Sequence, residues 1–451
     1  MQAEQAARVL MPVEAEAYVE ALETLTIKDI GTDRWLKQHE YIEKLNMQAI
    51  ISASTNEDEF VKEFLVSYDK IPVLIHELLA VEVWTQKIFS LLVRMDFQPS
   101  STIPVYTVLY HEATIINLLE TIMYHKDTCE SAEDTMLDLL DYCYRKIVDL
   151  IARSPDHEET EDVETAPNIR EFVEHPTTFE DLKKQQRALD FDVAVKAVTI
   201  LRYITDHLDS LPLSTTHRLL NTHNIPILLV QLIENCPWTR EGNGRLRKYV
   251  DGRWQEVPPE DRMRLTKIEG QVWIALYNVL MGPSCQQKYE YNDYNKNQVL
   301  KVRGYLHEVL LDQFPHLAEL QRYLEHLSMM EAPPARKDLV LEQVPEVRER
   351  ILQENKGKWE ALAKHQVRTV FNPSTEQLKE LSKRWAVTYN LDLLESMLVD
   401  PPKCAVCGQP ASKRCSRCQN EWYCRRECQV NHWYKHKKAC DLMAAPKSAQ
   451  S

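Results

Sequence analysis

The sequence predicts a mostly α-helical protein, either a helical bundle or an armadillo- or HEAT-like helical array. A small β-hairpin is inserted in it, and a compact metal-binding unit closes the C-terminal end. Three observations predict this. Glycine supplies only 9 of 451 residues, where about 7% is usual, and none lies between Gly31 and Gly242. Apolar residues recur at three- and four-residue spacing through most of the chain. Seven of the eleven cysteines crowd between Cys404 and Cys440. Scarce glycine also argues against phosphate-cradling loops, which need it for close backbone approach.

Residues 1–154 read as successive amphipathic helices. Met136, Leu140, Cys143, Ile147 and Leu150 form one apolar stripe, which makes Cys143 a packing residue. Residues 155–181 carry ten Asp or Glu against one Arg, with Pro155, Pro167 and Pro176, and read as an acidic linker or loop. A second helical region follows over 182–400. In it Phe191, Val195, Val198, Leu201, Ile204 and Leu208 keep register.

IPVLIHELL (71–79) and IPILLVQLI (225–233) both open on Ile-Pro, and HEATIINLL (111–119) is a weaker relative. Proline suits the first helical turn, where its missing N–H costs nothing. Such openings suggest repeats with a period of roughly 40–47 residues. Asp251-Gly252, between Tyr249/Val250 and Trp254/Val257, is the hairpin signal within 247–257. Helix then extends from GQVWIALYNVLM (270–281) to about Leu398, broken at Pro333-Pro334. The body's histidines follow no metal-ligand spacing and read as packed or solvated.

Charge divides the same way. The whole chain carries −14, but residues 401–451 hold ten Lys or Arg against three Asp or Glu. The body is therefore strongly acidic and repels nucleic acid and anionic membranes. Its N-terminus, MQAEQAARVLMPVEAEAYVEAL, has no basic-then-apolar pattern of a secretory signal. No apolar run approaches the ~20 residues that cross a bilayer. Clustered cysteine beside scattered Cys129, Cys143, Cys236 and Cys285 reads as metal ligands plus core thiols in a reducing compartment. A cytoplasmic or nuclear protein is expected, with no nucleic-acid partner and no membrane insertion.

From 404 the chain reads CAVCGQPASKRCSRCQNEWYCRRECQVNHWYKHKKAC. Its spacing is C-x2-C-x7-C-x2-C-x5-C-x3-C-x7-H-x3-C, eight ligands for two tetrahedral Zn²⁺ sites. Pairs two residues apart bite one metal from a turn. Cys424/Cys428 and His436/Cys440 present ligands from one helix face. A segment this short cannot bury enough apolar surface to fold alone, so metal binding supplies its folding energy. Eight ligands fill both sites, leaving no open position for catalysis; both zincs read as structural. His432 is surplus to the eight and reads as an exposed residue or one supporting a ligand. Residues 441–451 read as a flexible tail.

This spacing resembles the MYND-type zinc finger at every ligand. The resemblance implies that Cys404, Cys407, Cys424 and Cys428 hold one zinc, and Cys415, Cys418, His436 and Cys440 the other. It further implies a protein-binding finger whose peptide groove uses Gln429 and Trp433, one turn apart on a helix. RING fingers need a central Cys-x-His element, which is missing here.

Stretches such as EKLNMQAI (43–50), HEATIINLLET (111–121), CESAEDTMLDLLDYC (129–143), LRYITD (201–206), KDLVLEQVPE (337–346) and ASKRCSRCQNEWYC (411–424) extend the likeness over nearly the whole chain. They resemble a family of MYND-finger proteins known as cytoplasmic assembly factors for axonemal dynein arms. That resemblance implies a non-catalytic adaptor serving motile cilia. Its partners would be chaperone machinery, axonemal dynein chains and a leucine-rich-repeat assembly factor engaged through the finger. The implied location is cytoplasmic, including centrosomal or centriolar satellites and dynein assembly particles. Two alternatives are a nuclear co-regulator recruiting repressors and a lysine methyltransferase. The methyltransferases carry an Asn-His-Ser-Cys element and glycine-containing cofactor strands that this chain lacks.

Overall fold

The computed structural model describes residues 9–153, 178–384 and 404–443, apart from residues 96, 100, 243, 330, 332–342, 375, 379, 382–383, 412 and 419–420. The acidic stretch expected at 155–181 lies outside the described residues up to 177, as do Pro333-Pro334 and the expected helix to Leu398 beyond 384.

The principal helices of the body are α1 (Pro12–Glu20), α2 (Asp33–Thr55), α3 (Ile71–Trp84), α4 (Ile103–Ile122), α5 (Thr135–Ala152), α6 (Phe179–Asp206), α7 (Ile225–Asn235), α8 (Lys267–Met281), α9 (Val347–Glu354) and α10 (Trp359–Thr369). Shorter helices join them. Their starts carry recognisable chemistry. Thr178 and Thr266 form reciprocal capping boxes with Asp181 and Glu269, opening α6 and α8. Ile-Pro opens α3 and α7, as the sequence suggests, and also α4 at Ile103-Pro104. The stretch 111–119 lies inside α4 rather than at its start, so the openings fall unevenly at 71, 103 and 225.

The packing is not that of an array whose repeats touch only their neighbours. α6 is a central helix, packed against α4, α5 and α8. α9 and α10 return from the C-terminal part of the body to the first helices: α9 packs on α3 and α5, and α10 on the π-helical turn Thr85–Phe89 that extends α3. One apolar core runs through all of it, from Leu10 to Leu381.

Polar side chains buried in this core fix how the helices meet. The Trp84 indole N–H donates to Gln366 Oε1 at 3.0 Å, and Gln366 Nε2 donates to the carbonyl of Ile27 at 2.9 Å. Gln366 is fully buried and links three distant segments. Gly31, at φ +86°, lies against Val370 just past α10, and a Cβ there would sit 2.3 Å from Val370 Cγ1. Asp138 of α5 accepts the N–H groups of Glu346 and Val347, capping α9. Arg145 of α5 clasps buried Glu82 of α3 with two hydrogen bonds of 2.9 and 2.6 Å. His39 and His111 meet through their Nδ1 atoms at 2.8 Å in full burial. They are packed histidines, as their spacing suggests.

The expected hairpin is part of a three-stranded antiparallel meander, β1 (Thr239–Gly242), β2 (Arg245–Val250) and β3 (Arg253–Glu256). Asp251 at φ +48° and Gly252 at φ +76° make the tight turn that their types favour. The first strand, TREG, is too short and polar to show alternation. No helix among the described residues is long and apolar enough to cross a membrane.

Gln366→Ala leaves the Trp84 N–H and the Ile27 carbonyl buried without partners. The expected cost is about 1–3 kcal/mol, read as an earlier urea midpoint at unchanged slope. Lys364→Ala, exposed on the same helix, should stay within about 0.5 kcal/mol of the unaltered chain.

Candidate metal centre

Residues 404–443 form a second, separate cluster, in which five cysteines, Ala411 and Tyr423 are the buried apolar residues. Two tight turns, a two-stranded ribbon and one helix position its ligands. Cys404 and Cys407 lie on a turn in which Gly408, at φ +67°, donates its N–H to the Cys404 carbonyl at 2.9 Å. A second turn presents Cys415 and Cys418 directly after β4 (Lys413–Arg414), which pairs with β5 (Trp422–Tyr423). Cys424 follows β5. Helix α11 (Arg426–Met443) then carries Cys428, His436 and Cys440. It runs to Met443, so the expected tail from 441 is helical for its first three residues, and residues 444–451 lie outside the described ones.

The ligand atoms fall into two quartets, each with all members within 4.8 Å of one another: Cys404, Cys407, Cys424 and Cys428; then Cys415, Cys418, His436 and Cys440. These are the groupings that the MYND resemblance implies. Sulfurs 2.3 Å from a tetrahedral zinc stand about 3.8 Å apart, and a sulfur and an imidazole nitrogen about 3.5 Å. Cys407–Cys424, Cys424–Cys428 and Cys428–Cys407 measure 3.4, 3.7 and 4.0 Å. Cys415–Cys440 measures 3.8 Å, and Cys418 Sγ to His436 Nε2 3.4 Å. All these cysteines are free thiols, far from the 2.05 Å of a disulfide. Each quartet can therefore hold one zinc ion with all four positions filled by protein.

The thiols titrate as crowded sulfurs must. Burial opposes ionisation of Cys404, but backbone N–H groups near Val406, Cys407 and Cys424 hold it down at about 6. Cys415, likewise opposed by burial and helped by amides around Arg417 and Cys418, falls to about 7. Contact with Cys407, then burial, pushes Cys424 up to about 12. Burial and the charges of Cys418 and Cys415 push Cys440 up as well. One sulfur of each quartet is ready to ionise, while Cys424, Cys428 and Cys440 resist following. A divalent cation at the centre reverses that resistance.

Sequence reasoning missed several supporting contacts. Tyr423, 1% exposed, reaches His432 Nδ1 with its hydroxyl at 3.0 Å. His432 stacks on His436 at 14° between ring planes. It is thus half-buried and bears on a ligand's ring, the supporting role that its place on the ligand face allowed. The neighbouring sulfur of Cys428, with those of Cys424 and Cys407 behind it, raises the pKa of Arg425. Arg417 pairs with Asp441 at 2.6 Å, tying the second turn to the end of α11. Gln429 and Trp433 are both half-buried on α11, and Trp433 packs on the metal core with its ring edge toward His436 at 6.1 Å. Beside them on the same helix, Val430 and Tyr434 are 63% and 76% exposed.

Comparison with known proteins agrees with this geometry. The MYND finger family model matches residues 404–440. A Drosophila melanogaster protein named zinc finger MYND domain-containing protein 10 homolog is 32% identical over 452 residues, covering 95% of this chain and 98% of its own length. Much shorter likenesses reach ubiquitin C-terminal hydrolase 15 of rice, 49% identical over 39 residues, and ubiquitin carboxyl-terminal hydrolase 17 of Arabidopsis thaliana, 45% over 42. These cover 8% and 9% of this chain and 4% and 6% of theirs. No solved structure matches.

Replacing Cys407 or Cys440 by serine should remove zinc from the finger while leaving the body's helicity nearly unchanged. Metal content by mass spectrometry and far-ultraviolet circular dichroism check both halves. A collapse of the whole helical signal would mean that the two cores are not independent.

Proposed function

The chain belongs to the family of zinc finger MYND domain-containing protein 10, and on that premise we propose that it is a non-catalytic adaptor for assembly of axonemal dynein arms in the cytoplasm. The finger docks a leucine-rich-repeat assembly factor, and the helical body holds dynein chains or the chaperone machinery that folds them. The observation that carries this reading is the whole-length likeness, which includes the body as well as the finger. The short hydrolase likenesses cover too little of either chain to bring an enzyme's activity with them.

The geometry supports an adaptor in two ways. Both quartets are complete with protein ligands, so a bound zinc has no vacant position at which to activate water. The finger's metal-organised helix also offers a surface. Gln429 and Trp433 stand one turn apart, where an amide can hold a peptide backbone while the indole gives its side chains an apolar platform. The fit is to a short proline-containing peptide, whose extended form costs little entropy to bind.

Two measurements test the reading. A pull-down from ciliating cells should recover a leucine-rich-repeat factor with the intact chain and lose it with the finger deleted, while body-bound proteins remain. Trp433→Ala should keep two zinc ions and lower the affinity for that factor by tenfold or more in calorimetry. Undiminished affinity would remove the groove, and a predominantly nuclear pool on fractionation would remove dynein assembly.

A further inference from the structure

Four arginines from separate elements converge beside the β-meander. Arg240 of β1 lies over the Trp254 ring of β3, its guanidinium carbon 3.8 Å from the ring centroid. Arg247 of β2 stands opposite Arg240 in the strand pairing and is exposed. Arg153, just past α5, sets its guanidinium 6.0 Å from the centroid of Phe191 and donates at 3.2 Å to the backbone carbonyl of Arg187 on α6. The Phe191 ring in turn meets Tyr249 at 4.9 Å and Trp254 at 5.4 Å. Three aromatic rings thus form a floor under an arginine cluster.

The guanidinium groups lie close enough to act on one another. Burial, then the charges of Arg247 and Arg153, makes Arg240 a weaker base than usual. Burial lowers Arg153 too, and Arg187 adds to the effect against the pull of Asp190 and Asp149. Glu256 faces Arg247 across the sheet and pairs with Arg245 at 3.4 Å. Such a concentration of guanidinium is unusual on an otherwise acidic body. Guanidinium forks over aromatic faces match carboxylates, which they grip in pairs of hydrogen bonds.

The sequence supplies a matching partner at the site's edge. The chain passes from Arg153 into residues 154–177, which hold eight Asp or Glu against Arg170 alone, and returns at Thr178 in the helix that carries Arg187 and Phe191. Both ends of this acidic stretch therefore join elements that contribute to the cluster. We propose that the arginine-aromatic surface formed by Arg153, Arg187, Arg240 and Arg247 over Phe191, Tyr249 and Trp254 is a docking site for an acidic peptide, occupied by the chain's own residues 155–177. Tethering at both ends gives the segment an effective concentration in the millimolar range.

The test uses the full chain and a fluorescein-labelled synthetic peptide of residues 155–177. In one variant six carboxylates are neutralised: Asp156→Asn, Glu158→Gln, Glu159→Gln, Glu161→Gln, Asp162→Asn and Glu164→Gln. That variant should bind the probe at least tenfold more tightly than the unaltered chain by fluorescence anisotropy. Adding Arg247→Glu should abolish the binding, Arg247→Gln should weaken it, and raising salt should weaken it further. Arg247 is exposed, so both substitutions should leave the circular dichroism and melting unchanged. No binding to the neutralised variant, or binding indifferent to Arg247, would overturn the docking site. Equal, Arg247-dependent binding to both chains would overturn occupancy by the chain's own segment and assign the surface to an acidic partner.

Discussion

Sulfur atoms held as closely as those of Cys407, Cys424 and Cys428, at 3.4 to 4.0 Å, cannot all carry negative charge unless a cation sits among them. That electrostatic requirement organises the C-terminal unit. Among the described residues its few buried apolar ones are mostly the ligands themselves, so burial offers little to fall back on when the charge is uncompensated. The orientation of α11, and with it the placing of Gln429, Trp433, Val430 and Tyr434, follows from where Cys428, His436 and Cys440 must point. Metal coordination here does the work that burial does elsewhere.

The body obeys the opposite rule. It has apolar surface in abundance, and its specificity comes from a few buried polar ties. Gln366 joins Trp84 to the Ile27 carbonyl, Glu82 receives Arg145, and Asp138 caps α9. Each tie connects segments far apart in sequence, and each leaves an unmet charge or hydrogen-bonding group if its partner is lost. Together they turn a set of amphipathic helices, which could stack in several ways, into one arrangement with α6 at its centre. The acidic body and the basic finger are thus built on different physical grounds within one chain.

Local chemistry was legible in the sequence; global closure was not. The ligand spacing marked four pairs and hence two sites, because metal geometry allows few alternatives at two- and four-residue intervals; which pairs share a metal was implied only by the MYND resemblance. The Ile-Pro openings of α3 and α7 and the Asp251-Gly252 turn follow from dihedral preferences of single residues, and the structure places them where those preferences point. The return of α9 and α10 onto the first helices left no local mark. It depends on Gln366, a common helical residue, and on the fit of Gly31 against Val370, neither of which shows a period. The strand Thr239–Gly242 escaped for the same reason, since its partner rather than its composition makes it a strand. The repeat-like reading of 111–119 mistook a helix interior for a helix start, because apolar pairs look alike in both places. Of the two places open to His432, exposed or supporting a ligand, the structure shows the second, with its ring stacked on His436.

The closing of the first helices by α10 has a consequence for how the protein comes into being. Trp84 and the loop around Gly31 are made early on the ribosome, but the groups that cover them, Gln366, Val370 and Phe371, arrive 282 residues later or more. Until then the nascent N-terminal half carries an open apolar seam that only its own distant end can seal. Apolar surface left exposed for that long is what makes incomplete chains prone to aggregate. A message that stops before codon 371 yields a product missing its seal as well as its finger.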